Sequence, residues 1–192
     1  MGVISIASPG GTAKNSPPIH WREPRCVTVI KSRRDGRNKE GKMAHTYIHC
    51  LIHCIFSTKE RTKSIAPALQ ERLWPYLGGL SRQRGVKALA VGGVEDHVHI
   101  LLSIPATVSI AKVVQEVKAV SSKWIHETDP NQRFFSWQEG YGAFSVSISH
   151  ARKTIDYINS QKEHHKTKTF QEEYVAFLKK HGIKYDEKYL WG

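Results

Sequence analysis

Apolar residues alternate with other residues along several short segments of the chain, a spacing that is typical of β-strands. We expect strands at 45–58, at 86–91, in the run that begins at 97 and at 143–149. In the third of these, Val98, Ile100 and Leu102 share one face, which predicts a buried side. His97 and His99 then project together from the opposite face.

Residues at helical spacing separate these strands. A leucine repeat predicts a first helix that begins near Pro67 and is kinked or broken at Pro75. A second amphipathic helix is expected at about 109–126, and Gly92 and Gly93 are expected to form the turn between the second and third strands. The order β-α-β-β-α-β predicts an α+β domain of ferredoxin-like (RRM-like) type, with an antiparallel sheet and both helices on one face. The histidine face is therefore expected to be open.

Two further helices are expected after the fourth strand. The segment that follows Ser149, its expected N-cap, has an apolar stripe on one side and carries Tyr157 and Gln161 one turn apart on the other. Thr169 and Glu172 form a capping-box sequence that predicts the final helix. We interpret that last helix as structural.

Charge and composition favour a nucleic-acid partner. The chain of 192 residues has a net charge of +12, and half of this excess lies in residues 1–42, which are rich in Gly, Pro, Ser, Lys and Arg. A basic protein attracts polyanions, although solubility alone would also explain the charge. The three cysteines do not form a disulfide framework, which suits a reducing cytoplasm. The sequence has no apolar run long enough for a membrane span, so we expect no membrane partner.

The chain divides at Met43, where the strongly patterned sequence begins. Residues 1–42 are expected to form a disordered basic N-terminal arm, and residues 43–192 a single domain. The arm is either a basic clamp on DNA or upstream sequence read through before a natural start at Met43. Its low order favours the second interpretation.

The paired histidines suggest a metal site, although two surface histidines would produce the same pattern. Gln161 would add an amide oxygen to the nitrogens of His97 and His99, a set that suits Mg²⁺ (or Mn²⁺) with positions open for phosphate and water. Tyr157 would then attack phosphorus and form a covalent phosphotyrosine. A solvated polar helix face is the alternative for Tyr157 and Gln161.

His97-Val98-His99 followed by Tyr157-x-x-x-Gln161 resembles the HUH superfamily of single-tyrosine nucleases. Residues 43–192 resemble more closely the TnpA-like single-strand transposases of insertion sequences and their domesticated relatives associated with repetitive extragenic palindromes (REP). The segments that carry this resemblance are HCIFSTKER, VEDHVHILLSIP, SSKWIHE and FSWQEGYGAFSVS. The resemblance implies a prokaryotic, nucleoid-associated enzyme that cuts single-stranded DNA beside a hairpin and leaves a 5′-phosphotyrosine and a free 3′-OH.

The resemblance also implies roles for individual residues. His97 and His99 would be metal ligands, Gln161 the third ligand and Tyr157 the nucleophile, while His53 would be a site neighbour without a firm role. It implies a homodimer in which the tyrosine helix could serve the partner's histidines in trans. A non-catalytic, ferredoxin-like nucleic-acid-binding protein derived from a transposase is the alternative function. The joint presence of the four site residues argues against it.

Overall fold

The computed structural model describes residues 47–191, so the predicted arm at 1–42 lies outside the described residues. The helices and strands of this part of the chain are β1 Leu51–Ser57, α1 Pro67–Gln83, β2 Lys87–Gly93, β3 His97–Ser103, α2 Ile110–Thr128, β4 Gly142–Val146, α3 Ile148–Asn159, α4 Gln161–His164, α5 Phe170–Lys180 and α6 Glu187–Leu190. Along these residues the structure shows no helix that combines the length and the apolar character needed to cross a membrane.

The four strands form one antiparallel sheet in the order β2-β3-β1-β4. β1 and β3 are therefore the central neighbours, as the β-α-β-β-α-β order predicts. The predicted ferredoxin-like α+β class is confirmed. Its consequence for the site is that His53 of β1 and His99 of β3 lie on adjacent strands, near the middle of the sheet.

One face of the sheet packs against α1 and α2 and forms the main hydrophobic core. The strands contribute alternate apolar residues to this face, and the two helices contribute their apolar stripes. The core members from the strands are Ile52, Cys54, Phe56, Val98, Ile100 and Leu102, and those from the helices include Leu69, Leu73, Leu77, Val113, Val117 and Ile125. Alternation along the strands places all of these side chains on one side. The two helices predicted to share one face do so.

The opposite face is covered as well, and the expectation of an open face was wrong. α3 packs Ala151, Ile155 and Ile158 on Leu51 and Leu101 of the sheet. Farther along, α5 packs Phe170 and Leu178 on Ile55 and Phe144. The open-face expectation treated the C-terminal helices as additions beside the sheet, but their apolar stripes bury best against its apolar strand residues.

Several element boundaries differ from the sequence expectations. β1 begins at Leu51, because ladder pairing starts opposite Ser103 and Val146, the ends of its two neighbours. Residues 47–50 are therefore not strand, and residues 45–46 lie outside the described part. α1 runs through Pro75 without the expected break, and Leu73 and Leu77 on either side of the proline are both fully buried.

The expected turn at Gly92–Gly93 is instead the end of β2, and residues 94–96 connect it to β3. Gly92 is required for packing, because a Cβ atom built on it would lie 2.3 Å from the carbonyl oxygen of Ile158 in α3. Glycine thus allows α3 to lie directly on the sheet, next to Tyr157.

The helix that carries the tyrosine begins earlier than expected, with Ser147 rather than Ser149 as its N-cap, because β4 already ends at Val146. It also ends at Asn159. Gln161 therefore begins the short helix α4, and Tyr157 and Gln161 do not share one continuous helix.

Candidate active site

Three histidines from the two central strands meet on the face covered by α3 and α5. His97 and His99 are fully buried and His53 is 2% exposed. The ring centroid of His99 lies 5.0 Å from that of His97 and 5.1 Å from that of His53. The alternative of ordinary surface histidines was wrong, because the C-terminal helices bury this face.

Hydrogen bonds at the Nδ1 atoms orient both rings of the His-x-His pair. His97 Nδ1 lies 2.6 Å from Asp96 Oδ1, and His99 Nδ1 lies 3.0 Å from His53 Nε2. Burial alone would raise the pKa of Asp96, but the hydrogen bond and the charge of His97 hold it below its ordinary value. Asp96 is therefore an ionised acceptor for His97. The Nε2 atoms of both rings are left free to point into the site, as in many metal-binding histidines.

Burial favours the neutral form of His53 and His99. It lowers the pKa of His53 to about 3, with smaller contributions from the charges of His181 and Lys180. It also lowers the pKa of His99 well below the ordinary value, assisted by the neighbouring His97 and His53. Neutral imidazole is the form that binds a metal ion.

Glu173 of α5 lies at the centre of this cluster, which the sequence analysis did not foresee. Its Oε2 atom lies 3.7 Å from His97 Nε2, 3.4 Å from His99 Nε2 and 3.3 Å from His165 Nε2. The carboxyl is almost fully buried, and this burial, together with the charge of Asp96, raises its pKa to about 8. The missed signal was a glutamate at a position of the apolar stripe of α5, three residues after Phe170.

The buried polar atoms of this cluster are incompletely hydrogen-bonded. Among the side chains of residues 47–191, four buried nitrogen or oxygen atoms make no hydrogen bond, and three of them are His97 Nε2, His99 Nε2 and Glu173 Oε2. Such atoms are rare in folded proteins and call for a partner. The ligand atoms of His97, His99, His165 and Glu173 all lie within 4.8 Å of one another. This buried His–Glu cluster could therefore bind a divalent metal ion.

Tyr157 and Gln161 approach the cluster from α3 and α4. The Tyr157 hydroxyl donates a hydrogen bond to Glu173 Oε1 and lies 3.4 Å from His164 Nε2. Gln161 is buried, and its Oε1 accepts a hydrogen bond from His165 Nε2 at 3.0 Å. Tyr157 and Gln161 thus join the three histidines in one cluster. Gln161 contacts it through His165.

A cavity of about 590 Å³ lies beside Tyr157, between β4, α3 and α5. The cavity wall combines basic and aromatic side chains with a few small polar ones, together with Glu173, Val146 and Ala176. Its basic and aromatic members are His53, Phe144, His150, Lys153, Tyr157, His164, Lys168, Phe177, Lys180 and His181. This combination suits a phosphate-bearing chain of bases, because cations attract phosphate and aromatic rings stack on bases.

Comparisons with known proteins place this site in a family context. Residues 46–161 match the family of IS200-like transposases. The chain is 29% identical over 132 residues to the transposase of insertion sequence element IS200 from Salmonella typhimurium, which covers 66% of this chain and 86% of that protein. It is 25% identical over 128 residues to the ISDra2 transposase TnpA of Deinococcus radiodurans, which covers 64% and 91% respectively.

A solved structure shares the fold. The crystal structure of a transposase candidate from Deinococcus radiodurans R1 matches with a TM-score of 0.51 and 24% identity, and the match covers 67% of this chain and 98% of that one. The family match includes His53, His97, His99, Tyr157 and Gln161. The segment that carries His164, His165 and Glu173 follows the matched residues.

Proposed function

Because the chain belongs to the family of IS200-like transposases, we propose that it is a metal-dependent, single-stranded DNA transposase or nickase. It would cleave and rejoin DNA next to hairpins through a 5′-phosphotyrosine intermediate. The observation that carries this proposal is the position of the Tyr157 hydroxyl, which hydrogen-bonds to a carboxyl group lying among buried histidines. A nucleophile beside a metal-ligand cluster is what phosphodiester cleavage requires.

His97, His99 and Gln161 are proposed to hold Mg²⁺ or Mn²⁺. The two Nε2 atoms that make no hydrogen bond fit this role directly. The amide of Gln161 is buried, and its oxygen is hydrogen-bonded to His165 Nε2. To bind the ion, this amide would turn from His165 toward it. When bound, the ion would polarise the scissile phosphate and stabilise the charge that develops on it. His53 would orient His99 through the hydrogen bond between their rings.

Tyr157 is the proposed nucleophile. Its phenolic oxygen would form a bond to phosphorus and release its proton, while the bond from phosphorus to the 3′ oxygen breaks. The departing 3′ oxygen takes up a proton and becomes a free 3′-OH. The phosphodiester energy is retained in the phosphotyrosine, so a later attack by a 3′-OH can rejoin the strands.

The proposed substrate is a single strand with a hairpin or palindromic end. The cavity beside Tyr157 supports a single strand, because its cations and rings could contact phosphates and unpaired bases together. The hairpin requirement and a homodimer are proposed from family membership. Tyr157 reaches the cluster of its own chain, which supports a cis arrangement, and exchange of the tyrosine helix between subunits is the alternative arrangement in a homodimer. Action on bacterial DNA would place the enzyme in the cytoplasm with the nucleoid.

Replacing Tyr157 tests the proposal. Tyr157→Phe should abolish cleavage of hairpin-bearing single-stranded DNA, because it removes the attacking oxygen and little else. A 3′-end-labelled strand should migrate with the wild-type protein in a denaturing gel but not with the variant, while binding to the uncleaved strand persists. Tyr141→Phe, at an exposed tyrosine outside the cluster, is the matched control.

Two outcomes would contradict the proposal. A covalent adduct that persists in Tyr157→Phe would exclude this nucleophile, and undiminished cleavage in excess EDTA would exclude the metal. A wild-type protein that binds the strand tightly without any cleavage would instead support the alternative of a non-catalytic nucleic-acid-binding protein.

A further inference from the structure

We propose that Glu173 connects the metal site to the nucleophile. One carboxyl oxygen, Oε2, is assigned as a metal ligand beside His97 Nε2 and His99 Nε2, and the other, Oε1, holds the hydroxyl of Tyr157. The inference rests on the proposed function in taking the histidine pair as a metal site. It adds a ligand and a positioning residue from α5, which lies outside the residues that match the family.

The assignment of Glu173 as a metal ligand rests on the three buried polar atoms that make no hydrogen bond. Glu173 Oε2 lies 3.4 Å from His99 Nε2 and 3.7 Å from His97 Nε2, yet none of the three atoms makes a hydrogen bond. Around a six-coordinate ion with bonds of 2.0–2.1 Å, neighbouring ligand atoms lie about 3 Å apart. Glu173 Oε2 lies within about 1 Å of this spacing from both Nε2 atoms, so small side-chain movements would allow it to share an ion with them.

The assignment of Glu173 as a positioning residue for Tyr157 rests on its other carboxyl oxygen, Oε1. Tyr157 donates its hydroxyl hydrogen to Glu173 Oε1, and the other polar atom near that hydroxyl is His164 Nε2 at 3.4 Å. A carboxylate that binds an ion through one oxygen can still accept a hydrogen bond through the other. Glu173 would thus fix the distance between the phenol and the metal, which is a geometric requirement for in-line attack.

The helix α5 is anchored well enough to act in this way. Thr169 and Glu172 form a complete capping box at its start. Phe170 is buried and stacks on the ring of His97, with 4.5 Å between the ring centroids. The carboxyl of Glu173 is therefore positioned by the same ring whose Nε2 atom it faces.

Gln161 does not occupy this position in the structure. Its amide oxygen bonds to His165 Nε2, and its amide nitrogen donates to the carbonyl oxygen of Tyr157 at 3.3 Å. Glu173, rather than Gln161, directly faces both members of the His-x-His pair. We infer that the carboxylate is a ligand in its own right and that Gln161 completes the site.

Metal affinity is the first test, measured on the full chain without DNA. Isothermal titration with Mn²⁺ should show at least a tenfold weaker affinity for Glu173→Gln, because the variant replaces a charged ligand by a neutral amide of the same shape. Glu163→Gln removes the same charge from an exposed side chain of α4 and should leave the affinity unchanged. His97→Ala should weaken binding in parallel with Glu173→Gln.

A double-mutant cycle on thermal stability tests the link to Tyr157. The melting temperatures of Tyr157→Phe, Glu173→Leu and the double variant are measured in EDTA, because leucine, unlike glutamine, has no oxygen to accept the hydrogen bond from Tyr157. A hydrogen bond between the two side chains predicts non-additive shifts, since either single change removes it. Should either Glu173 variant not fold, crystals of the wild-type chain soaked in Mn²⁺ give the same answer through an anomalous peak at coordination distance from Glu173 Oε2.

The outcomes separate this proposal from the proposed function. Equal Mn²⁺ affinity of the wild type and Glu173→Gln while His97→Ala binds weakly, additive melting shifts, or an anomalous peak away from Glu173 would each overturn it. A chain that binds Mn²⁺ through Glu173 but never cleaves DNA would support this inference and refute the catalytic function.

Discussion

The two faces of the sheet come from the same strands, but one is lined by apolar side chains and the other buries histidines among its apolar side chains. On β3, Val98, Ile100 and Leu102 pack against α1 and α2 in the main core. The alternate residues His97 and His99 are equally buried on the face that α3 and α5 cover. Full burial therefore does not distinguish the scaffold from the candidate site. The chemistry of the buried atoms does.

The faces differ in what stabilises them. Burying an aliphatic side chain contributes about 1.5–3 kcal/mol without any specific partner. A buried imidazole requires hydrogen-bonding partners, which Asp96 and His53 supply at the Nδ1 atoms. The Nε2 atoms face Glu173 without a hydrogen bond. Three of the four buried side-chain atoms without a hydrogen bond in residues 47–191 therefore lie together on the histidine face, where a ligand could satisfy them.

Matched truncations at adjacent residues of β3 should separate the two faces most clearly. His99→Ala should reduce metal-dependent cleavage by at least about a hundredfold, because even the outer partners of metal ligands are worth 10–100-fold. Its free energy of unfolding in EDTA should fall by no more than that of Ile100→Ala, since the loss of the hydrogen bond to His53 is partly offset by the removal of an unpartnered buried nitrogen. Single-turnover cleavage in Mn²⁺ and urea unfolding measure the two effects. His49→Ala, at an exposed histidine, is the control.

Ile100→Ala should show the reverse behaviour. Truncation of this buried residue should lower the free energy of unfolding by about 2–5 kcal/mol, through lost burial and the cavity that remains. Cleavage per folded molecule should stay near the wild-type value, as measured below the unfolding transition. A large loss of activity in the folded fraction would show that the two faces are coupled, which contradicts the comparison.

Much of the apolar face could be predicted from the sequence, because alternation and helical spacing report directly on burial. The strand order and the pairing of α1 and α2 with one face followed from these patterns. The expectations failed where the strand and helix spacing of apolar residues did not show which surface a helix packs against. The apolar stripe with Ile155 and Ile158 showed that α3 buries one side, but not that it packs on the histidine face.

The residues of the candidate site could be predicted where they lie close together in the sequence, but not where they are distant. His97 and His99 share a strand, and Tyr157 and Gln161 are four residues apart. Glu173 lies near these residues because α5, which follows α4, packs on the same face of the sheet. A single glutamate in the apolar stripe of a helix does not predict which buried side chains it will contact.

Gly92→Ala should disturb the histidine face specifically. A methyl group there would overlap the carbonyl oxygen of Ile158, so α3 must shift and move the adjacent Tyr157. Overpacking of this kind lowers the free energy of unfolding by about 1–3 kcal/mol. We also expect slower cleavage per folded molecule, in contrast to Ile100→Ala.

Gly79→Ala provides the control for that experiment. No atom lies within 4 Å of a Cβ built on Gly79 of α1, so an alanine there meets no neighbour. Alanine is also the better helix former, by about 1 kcal/mol. Gly79→Ala should therefore leave cleavage unchanged and stability equal or higher. Unchanged cleavage in Gly92→Ala as well would show that the seating of α3 does not control Tyr157.

The smallest effect is expected at the edge of the histidine face, in the cavity beside Tyr157. Lys180 lines this cavity, whereas its exposed neighbour Lys179 is not among the lining residues. If a strand of DNA enters there, Lys180→Gln removes one phosphate contact and should lower the salt dependence of single-strand binding by about 0.7 in logarithmic slope. Lys179→Gln removes the same charge and should change the slope less. Fluorescence anisotropy across a salt series distinguishes them, and equal slopes for the two variants would mean that the cavity does not hold the strand.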